Sequence, residues 1–386
     1  MYSLSDYLWM IADDARVAAY ASAIRAVVRP GDRVVDVGAG FGFFSVIAAA
    51  AGAQHVDAVD TNPAIRLGPR VAAANGCADR ISFHHLDVRQ LTLPERAGVL
   101  IADVRGPTPF GSRALEVVIS ARERLLRPDG RIISRADRVL VAPARTPAVF
   151  QREVHAAHGQ QGIELAPVEQ IVFDTPIRCA IAPEDLLAPG CLWTAIDYGS
   201  VARTDAAGTV EWLLESAARI DGLAVWFETD LGGGFGFSTA PGGAVRAYRQ
   251  MFIPFRSAVQ ISAGETFRVA LSVRQMRVNN VWAWRGWRVS QDGSTDLVID
   301  QNSLAEIIID PSTLPDTSAS ARPALGPRGK ALLALLARME GGHSVSTLAA
   351  QLAAESPDLF GNPTSAEDFA ATWIHRLAQL ERGEEC

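Results

Sequence analysis

The stretch RVVDVGAGFGFFSVIAAAAGA, residues 33–53, constrains the fold more than any other. An apolar run ends at Val37, three glycines follow at Gly38, Gly40 and Gly42, and an alanine-rich segment begins at once. A strand that leaves through such a turn into a helix can return parallel to itself, because parallel neighbours need a crossover of this kind. Further apolar runs, HVDAVD, ISFHHLDV, GVLIADV and GRIISRADRVLVAP, alternate with helical patterns up to about residue 145. The alternation predicts an α/β domain with a mostly parallel sheet covered on both faces. Glycines at the turn let a ligand touch backbone where a Cβ would block it. The spacing is not the dinucleotide fingerprint, whose third glycine would fall at Phe43.

The acidic residues around this turn narrow the chemistry. Asp36 lies inside the first strand, where a carboxylate is costly unless bonded, so it is expected to hold a ligand amine or a loop. Asp60 ends the second strand, where a carboxylate can accept from both hydroxyls of a ribose. Asp87 follows the third strand, placed to accept from an exocyclic adenine amine while Val88 offers its N–H. Asp103 ends the fourth. Four aspartates at successive carboxyl ends share one rim, and that rim is where open α/β sheets bind ligands. Singly, each aspartate reads equally as a cap or turn residue.

From residue 146 the texture becomes β. Segments such as LAVWFETDL, AYRQMFIPF, TFRVALSVRQM and VWAWRGWRVS alternate apolar and polar positions between Gly and Pro turns, the pattern of an antiparallel sandwich or barrel. The expected organisation is a Rossmann-like domain over 1–145, a β-barrel or sandwich over 146–310, a Pro/Ser/Ala linker over 311–324 and a small helical module over 325–386. In that module Ser344 is an expected N-cap, as is Thr364 or Ser365. A net charge of −7 argues against non-specific nucleic-acid binding. Cys77, Cys179, Cys191 and Cys386 fit neither a zinc site nor a disulfide framework, so no metal is expected and a cytoplasmic location is. No apolar run reaches membrane-spanning length, and MYSLSDYLWMIADD does not read as a signal peptide.

The glycine turn with its rim of aspartates resembles the class I S-adenosylmethionine (SAM) methyltransferases. Upstream, YLWMIADDARVAAYASAI resembles the N-terminal signature of the protein arginine methyltransferases, through Met10-Ile11, Asp13, Arg16, Tyr20 and Ala23-Ile24. Downstream, Trp226, Phe227 and Asp230 followed by Ser238-Thr239-Ala240-Pro241 resemble the family's barrel. The resemblance covers about residues 5–290. It implies SAM as cofactor, with Met10, Arg16, Asp36, Gly38, Gly40, Gly42, Asp60, Asp87 and Val88 binding it, and Arg16 pairing with its carboxylate. It also implies a protein or peptide acceptor in preference to a small molecule. A homodimer built by an arm within 146–180 is a further implication, with QGIELAPVEQIVFDTPIRC as candidate.

The acceptor motifs depart from the family. Two glutamates hold the guanidinium there, on the loop after the fourth strand. Here the loop is DVRGPTPFGSR: Asp103 stands at the first glutamate, Ser112 at the second, and Arg105 and Arg113 are added. In the barrel, Ala247 and Tyr248 replace a histidine and a tryptophan. Asp103 is the candidate for orienting an acceptor, and Glu116 is a candidate second carboxylate. Arginine specificity is therefore in doubt. One alternative is a small or anionic acceptor clamped by Arg105 and Arg113; another is a non-catalytic SAM-binding scaffold. The C-terminal helices resemble small modules related to PqqD, which bind peptide leaders, although a helical cap on the barrel is the preferred reading.

Overall fold

The computed structural model describes residues 2–148, 150, 160–276, 280–306, 324–339, 343–360 and 363–382. The chain forms two compact units, 1–308 and 309–386.

The first unit opens with α1 (Leu4–Ile11) and α2 (Asp14–Val27). The strands β1 (Arg33–Val37), β2 (His55–Asp60), β3 (Ile81–His85), β4 (Ala97–Ala102) and β5 (Leu126–Ile133) form a parallel sheet in the order β3-β2-β1-β4-β5. Alternation within β1 explains how both faces are covered. Val35 and Val37 pack with Leu115, Val118 and Ala121 of α5 (Ala114–Leu125). Val34 packs with Tyr20 and Ile24 of α2, with Phe44 and Ala48 of α3 (Phe43–Ala50) and in one core with Ala72 of α4 (Gly68–Ala74). The crossovers from β1 run toward β3 while the chain later returns on the β4 side. A crevice therefore opens at the carboxyl ends of β1 and β4, the switch point of such sheets.

The run GRIISRADRVLVAP, expected in the first domain as one segment, is divided between two sheets. β5 ends at Ile133, and β6 (Ala136–Ala144) joins the antiparallel region by pairing with β10 (Ala218–Gly232). No glycine or proline marks this switch in the sequence; a buried polar pair, Ser134 and Asp137, does. The antiparallel part consists of two sheets. One has the order β7-β12-β10-β6-β8, with β11 (Phe235–Ser238) pairing β10. Its other members are β7 (Ile177–Cys179), β8 (Cys191–Asp197) and β12 (Gln250–Ile261). The second has the order β15-β14-β13-β9, built from β9 (Ala206–Leu213), β13 (Thr266–Gln275), β14 (Asn280–Val289) and β15 (Thr295–Asn302). Period-2 burial is clear in β13, where Phe267, Val269, Leu271 and Val273 face the core. Trp226 and Phe227 are core residues, and Thr239 of the Ser-Thr-Ala-Pro turn closes the hairpin by accepting from the Phe227 N–H at 3.1 Å.

Several links join the antiparallel part to the parallel sheet. Phe110, on the loop after β4, packs against Trp193 and Trp282. Tyr20 and Ile24 of α2 share a core with Leu231 of β10. Asp13, the N-cap of α2, accepts from the N–H groups of Arg246 and Ala247 at 2.7 and 2.6 Å. One carboxylate thus caps the helix that carries Arg16 and anchors the barrel loop that carries Tyr248. Of the expected arm, residues 149 and 151–159 lie outside the described residues. The rest includes α6 (Ala166–Val172) and β7, and Asp174 between them is buried and accepts from Gln301 at 2.9 Å and from Arg256.

The second unit contains α7 (Pro327–Met339), α8 (Val345–Glu355) and α9 (Pro363–Arg382), which close over Leu335, Leu348, Leu352, Phe360, Ala366 and Ala370. Ser344 caps α8 as its sequence predicts, accepting from the Thr347 N–H at 3.2 Å. Thr364 and Ser365 lie inside the first turn of α9 instead of capping it.

Candidate active site

The glycine turn has the backbone that only glycine adopts without strain. Gly38, Gly40 and Gly42 have φ of 72°, 56° and 86°. A Cβ on Gly40 would stand 2.6 Å from the Tyr7 ring. The turn borders a cavity of about 750 Å³ at the carboxyl ends of β1, β2 and β4, within the range of roughly 300–1,000 Å³ usual for cofactor-sized ligands. Met10, Arg16, Asp36, Gly38, Asp60, Asp87, Val88 and Asp103 all line it. Gly40 reaches the rim through its N–H, which donates to Asp60 at 2.8 Å. The other Asp60 oxygen accepts from the Asn62 N–H at 2.7 Å. After its one bond Oδ1 keeps a free acceptor position. Tyr7 of α1, which sequence reasoning did not single out, approaches Oδ2 at 3.4 Å. Burial and the nearby Asp60 push its phenol well above the usual range.

Asp36 is 2% exposed and accepts from Ser45 Oγ of α3 at 2.6 Å. Burial raises its carboxyl to about 7, against a usual 3.8. Asp87 is partly spent: its carboxylate is gripped by Arg89, with Nε at 2.9 Å, and by the Arg89 N–H.

At the centre of the site Arg16, Asp103 and Tyr248 form a closed set. Arg16 is 7% exposed. Its Nε donates to Asp103 Oδ2 at 3.0 Å and to the Tyr248 hydroxyl at 3.1 Å, Nη1 donates to the Met10 carbonyl at 3.0 Å, and Nη2 donates to Asp103. The Tyr248 hydroxyl donates to the other Asp103 oxygen, Oδ1. Burial would raise the Asp103 carboxyl, but Arg16 and then Arg105 more than reverse this and hold it low. Burial likewise opposes the charge on Arg16, and Asp103 outweighs it.

Arg105 corrects the expected clamp. It borders the cavity, but its side chain is only 2% exposed, and Nη1 donates to Asp137 Oδ1 at 2.6 Å and to Thr229 Oγ1 at 2.8 Å. Nη2 donates to the Tyr20 hydroxyl. The guanidinium lies 5.1 Å from the centre of the Phe227 ring and within 6 Å of those of Tyr20, Phe237 and Tyr248. Asp137 also accepts from Tyr198 Oη at 2.7 Å. Arg105 is thus a neutralised structural cation, 3.6 Å from Asp103, and is not available to clamp an acceptor.

Glu116 and Arg113 are corrected together. Arg113 lines the cavity, but Glu116 does not. The Glu116 carboxylate accepts from Arg113 Nε and Nη2, both at 2.6 Å, and from Arg89 Nη1 and Gln275 Nε2, both at 2.7 Å. Four donors saturate it, so it cannot serve as a second acceptor carboxylate. Sequence reasoning also missed Asp137 and Arg178. The signal for Asp137 was the one that exposed Asp36, an acid inside an apolar strand. Arg178, on the short strand β7, carried none.

The Asp36 shift has a definite sign. A carboxyl raised in the folded state adds stability that is complete below 3.8 and lost as pH climbs through about 7. Asp36→Asn, which has no such proton, is expected to gain melting temperature relative to wild type between about pH 4 and about pH 7 in paired thermal unfolding scans. A difference that stays constant with pH contradicts the assignment.

Comparison with known proteins follows the same division. A family profile described as ribosomal protein L11 methyltransferase (PrmA) matches residues 20–132. The chain is 28% identical over 301 residues to probable histone-arginine methyltransferase 1.4 of Arabidopsis thaliana, covering 72% of this chain and 57% of that one. It is 27% identical over 269 residues to the arginine N(omega)-methyltransferase of Streptomyces achromogenes subsp. streptozoticus, covering 68% and 74%. The chain spans 51–60% of the length of the Arabidopsis and rice relatives it matches. Among solved structures, the Trypanosoma brucei PRMT1 enzyme-prozyme complex with AdoHcy superposes with a TM-score of 0.69 at 20% identity, covering 77% of this chain and 96% of that one. Arabidopsis thaliana protein arginine methyltransferase 10 gives 0.67 at 17%, covering 78% and 98%. The chain is thus similar in sequence to proteins named as arginine methyltransferases and shares its fold with solved structures of that kind.

Proposed function

We propose that the chain is a SAM-dependent methyltransferase of the protein arginine methyltransferase type that modifies a protein or peptide side chain. The observation that carries this is the cavity at the β1–β4 switch point, where a glycine turn, a ribose-competent Asp60 and a fork-shaped Arg16 border one space. These groups fit the cofactor. Asp60 keeps a free acceptor position on Oδ1, and on Oδ2 a second hydroxyl would displace the long 3.4 Å bond from Tyr7. Arg16 retains one N–H on each terminal nitrogen after its described bonds, a spacing that suits a carboxylate. Asp36 stands by the turn to accept an ammonium, Val88 borders the base end, and Asp87 contributes there only what Arg89 leaves.

The cofactor supplies an electrophilic methyl group. The chain binds, orients and excludes water, since displacement at a methyl carbon needs alignment above all. The Arg16–Asp103–Tyr248 set fixes the boundary between cofactor and acceptor. The relatives are named for different acceptors, histone arginine in one and arginine in another, so likeness alone does not assign the acceptor here.

Calorimetry with SAM and S-adenosylhomocysteine tests the reading. Asp60→Ala is expected to weaken both by about 1.5–3 kcal/mol through lost charged hydrogen bonds. Arg16→Met is expected to abolish the preference for SAM over its decarboxylated analogue. Wild-type affinity in Asp60→Ala, or equal losses for both ligands in Arg16→Met, contradicts these roles.

We further propose a cytoplasmic homodimer, with the 160–179 segment presenting exposed Ile163 and Val168 to a second copy. A two-fold symmetric pairing would bury them reciprocally. Light scattering at tens of micromolar should give twice the 41.3 kDa chain mass; a strictly monomeric mass contradicts it.

A further inference from the structure

We propose that the acceptor is a carboxylate, methylated on oxygen to an ester; this rests on the methyltransferase reading above and names its substrate class. Three observations converge on it.

The first is the state of Asp103. A carboxylate has about four acceptor positions. Arg16 Nε and Nη2 take Oδ2, the Tyr248 hydroxyl takes Oδ1, and Arg105 stands 3.6 Å from Oδ1. Three of the four positions are filled and the Asp103 charge is already paired with Arg16 and flanked by Arg105, so it cannot neutralise a second guanidinium, and Glu116 is saturated outside the cavity. A buried cation without a compensating carboxylate is strongly disfavoured.

The second is that no base is left uncommitted for an acceptor. No His, Lys or Cys lines the cavity among the described residues. Asp87 is gripped by Arg89 and Asp103 is held ionised by Arg16. Asp60 takes two backbone N–H groups and the Tyr7 hydroxyl, and Asp36, though raised to about 7, is held by Ser45 beside the turn and committed to the cofactor ammonium in the reading above. An ammonium, hydroxyl or guanidinium acceptor must give up a proton to become a methylated neutral or to offer a lone pair. A carboxylate arrives already ionised.

The third is Arg178. It lines the cavity from β7 and is held in place by donating from Nε to the Tyr248 carbonyl at 3.0 Å and from Nη2 to the Ala247 carbonyl. It forms no ion pair among the described residues; Asp6 of α1 is near enough only to feel its field. Tyr248 therefore seals Asp103 with its hydroxyl while its carbonyl presents a cation on the cavity wall. A carboxylate at this wall gains a charged partner, whereas a guanidinium meets like charge.

The balance of the step is simple. One oxygen of the acceptor carboxylate forms a bond to the methyl carbon as the carbon–sulfur bond breaks, and the bonding pair leaves on sulfur. The products are a neutral methyl ester and S-adenosylhomocysteine, and no proton is transferred.

The test uses the full chain saturated with S-adenosylhomocysteine. Three carboxylate probes are titrated by calorimetry: an amide-capped peptide containing Asp and Glu, a peptide whose only carboxylate is its C-terminus, and the small dicarboxylate glutarate. An arginine-rich peptide without carboxylates is the comparison. We expect at least one carboxylate probe to bind, which one telling side chain, terminus and small molecule apart. Arg178→Gln, which keeps a donor for the carbonyls and loses the charge, should weaken that probe about tenfold or more, the loss typical of a charged hydrogen bond, while melting like wild type. With methyl-labelled SAM, the label on the bound probe should be released as volatile methanol by mild base. Binding of the arginine-rich peptide in preference to all three carboxylates, or base-stable label on it, overturns the inference. So does S-adenosylhomocysteine binding with no carboxylate binding, which leaves the methyltransferase reading standing. Failure to bind S-adenosylhomocysteine overturns both.

Discussion

The site depends on one buried contact, the fork of Arg16 on Asp103 with the Tyr248 hydroxyl closing the third side. Its three residues come from α2, the end of β4 and the loop before β12, so it forms only when the parallel sheet and the antiparallel sheets are already docked. A buried charge with one partner removed is expensive, while a saturated set is stable in place. The contact thus locks the fold, and it fixes which charges face the cavity.

A second buried pair, Arg105 with Asp137, supports the first from behind. Arg105 leaves the same loop as Asp103 but points between the sheets, where Asp137, Thr229 and the Tyr20 hydroxyl accept from it and four aromatic rings, that of Tyr20 among them, surround it. In low dielectric such a network has high stakes, since each member satisfies another. Together the two pairs give a loop whose charges are spent internally. What is left to meet an acceptor is Arg178, brought in by the same Tyr248 that seals Asp103.

Much of this was legible in the sequence because it obeys local rules. The strand ending at Val37, the positive-φ glycines and the row of aspartates at strand ends follow from period, turn chemistry and the geometry of parallel sheets. The period-2 burial of β13 was equally plain. The split of GRIISRADRVLVAP was not, because a chain can change sheets without a breaker when a buried acid finds a partner. The direction of Arg105 was not legible for a related reason. Loop position suggested a cavity cation, whereas its true partner, Asp137, is 32 residues away in another sheet. Glu116 failed as a candidate because Arg89, Arg113 and Gln275, from three separate segments, converge on it. Non-local pairing of charges decided each of these cases.

That the loop charges are spent internally is the claim on which the rest stands, and a double-mutant cycle on Arg105 and Asp137 tests it most directly. Arg105→Met and Asp137→Leu are each expected to cost about 3–5 kcal/mol in denaturant unfolding, because each strands a buried charge. The double variant should lose far less than the sum, leaving a coupling of at least about 2 kcal/mol. Losses that add to within about 0.5 kcal/mol would show that Arg105 is not neutralised by Asp137 and is free to face an acceptor.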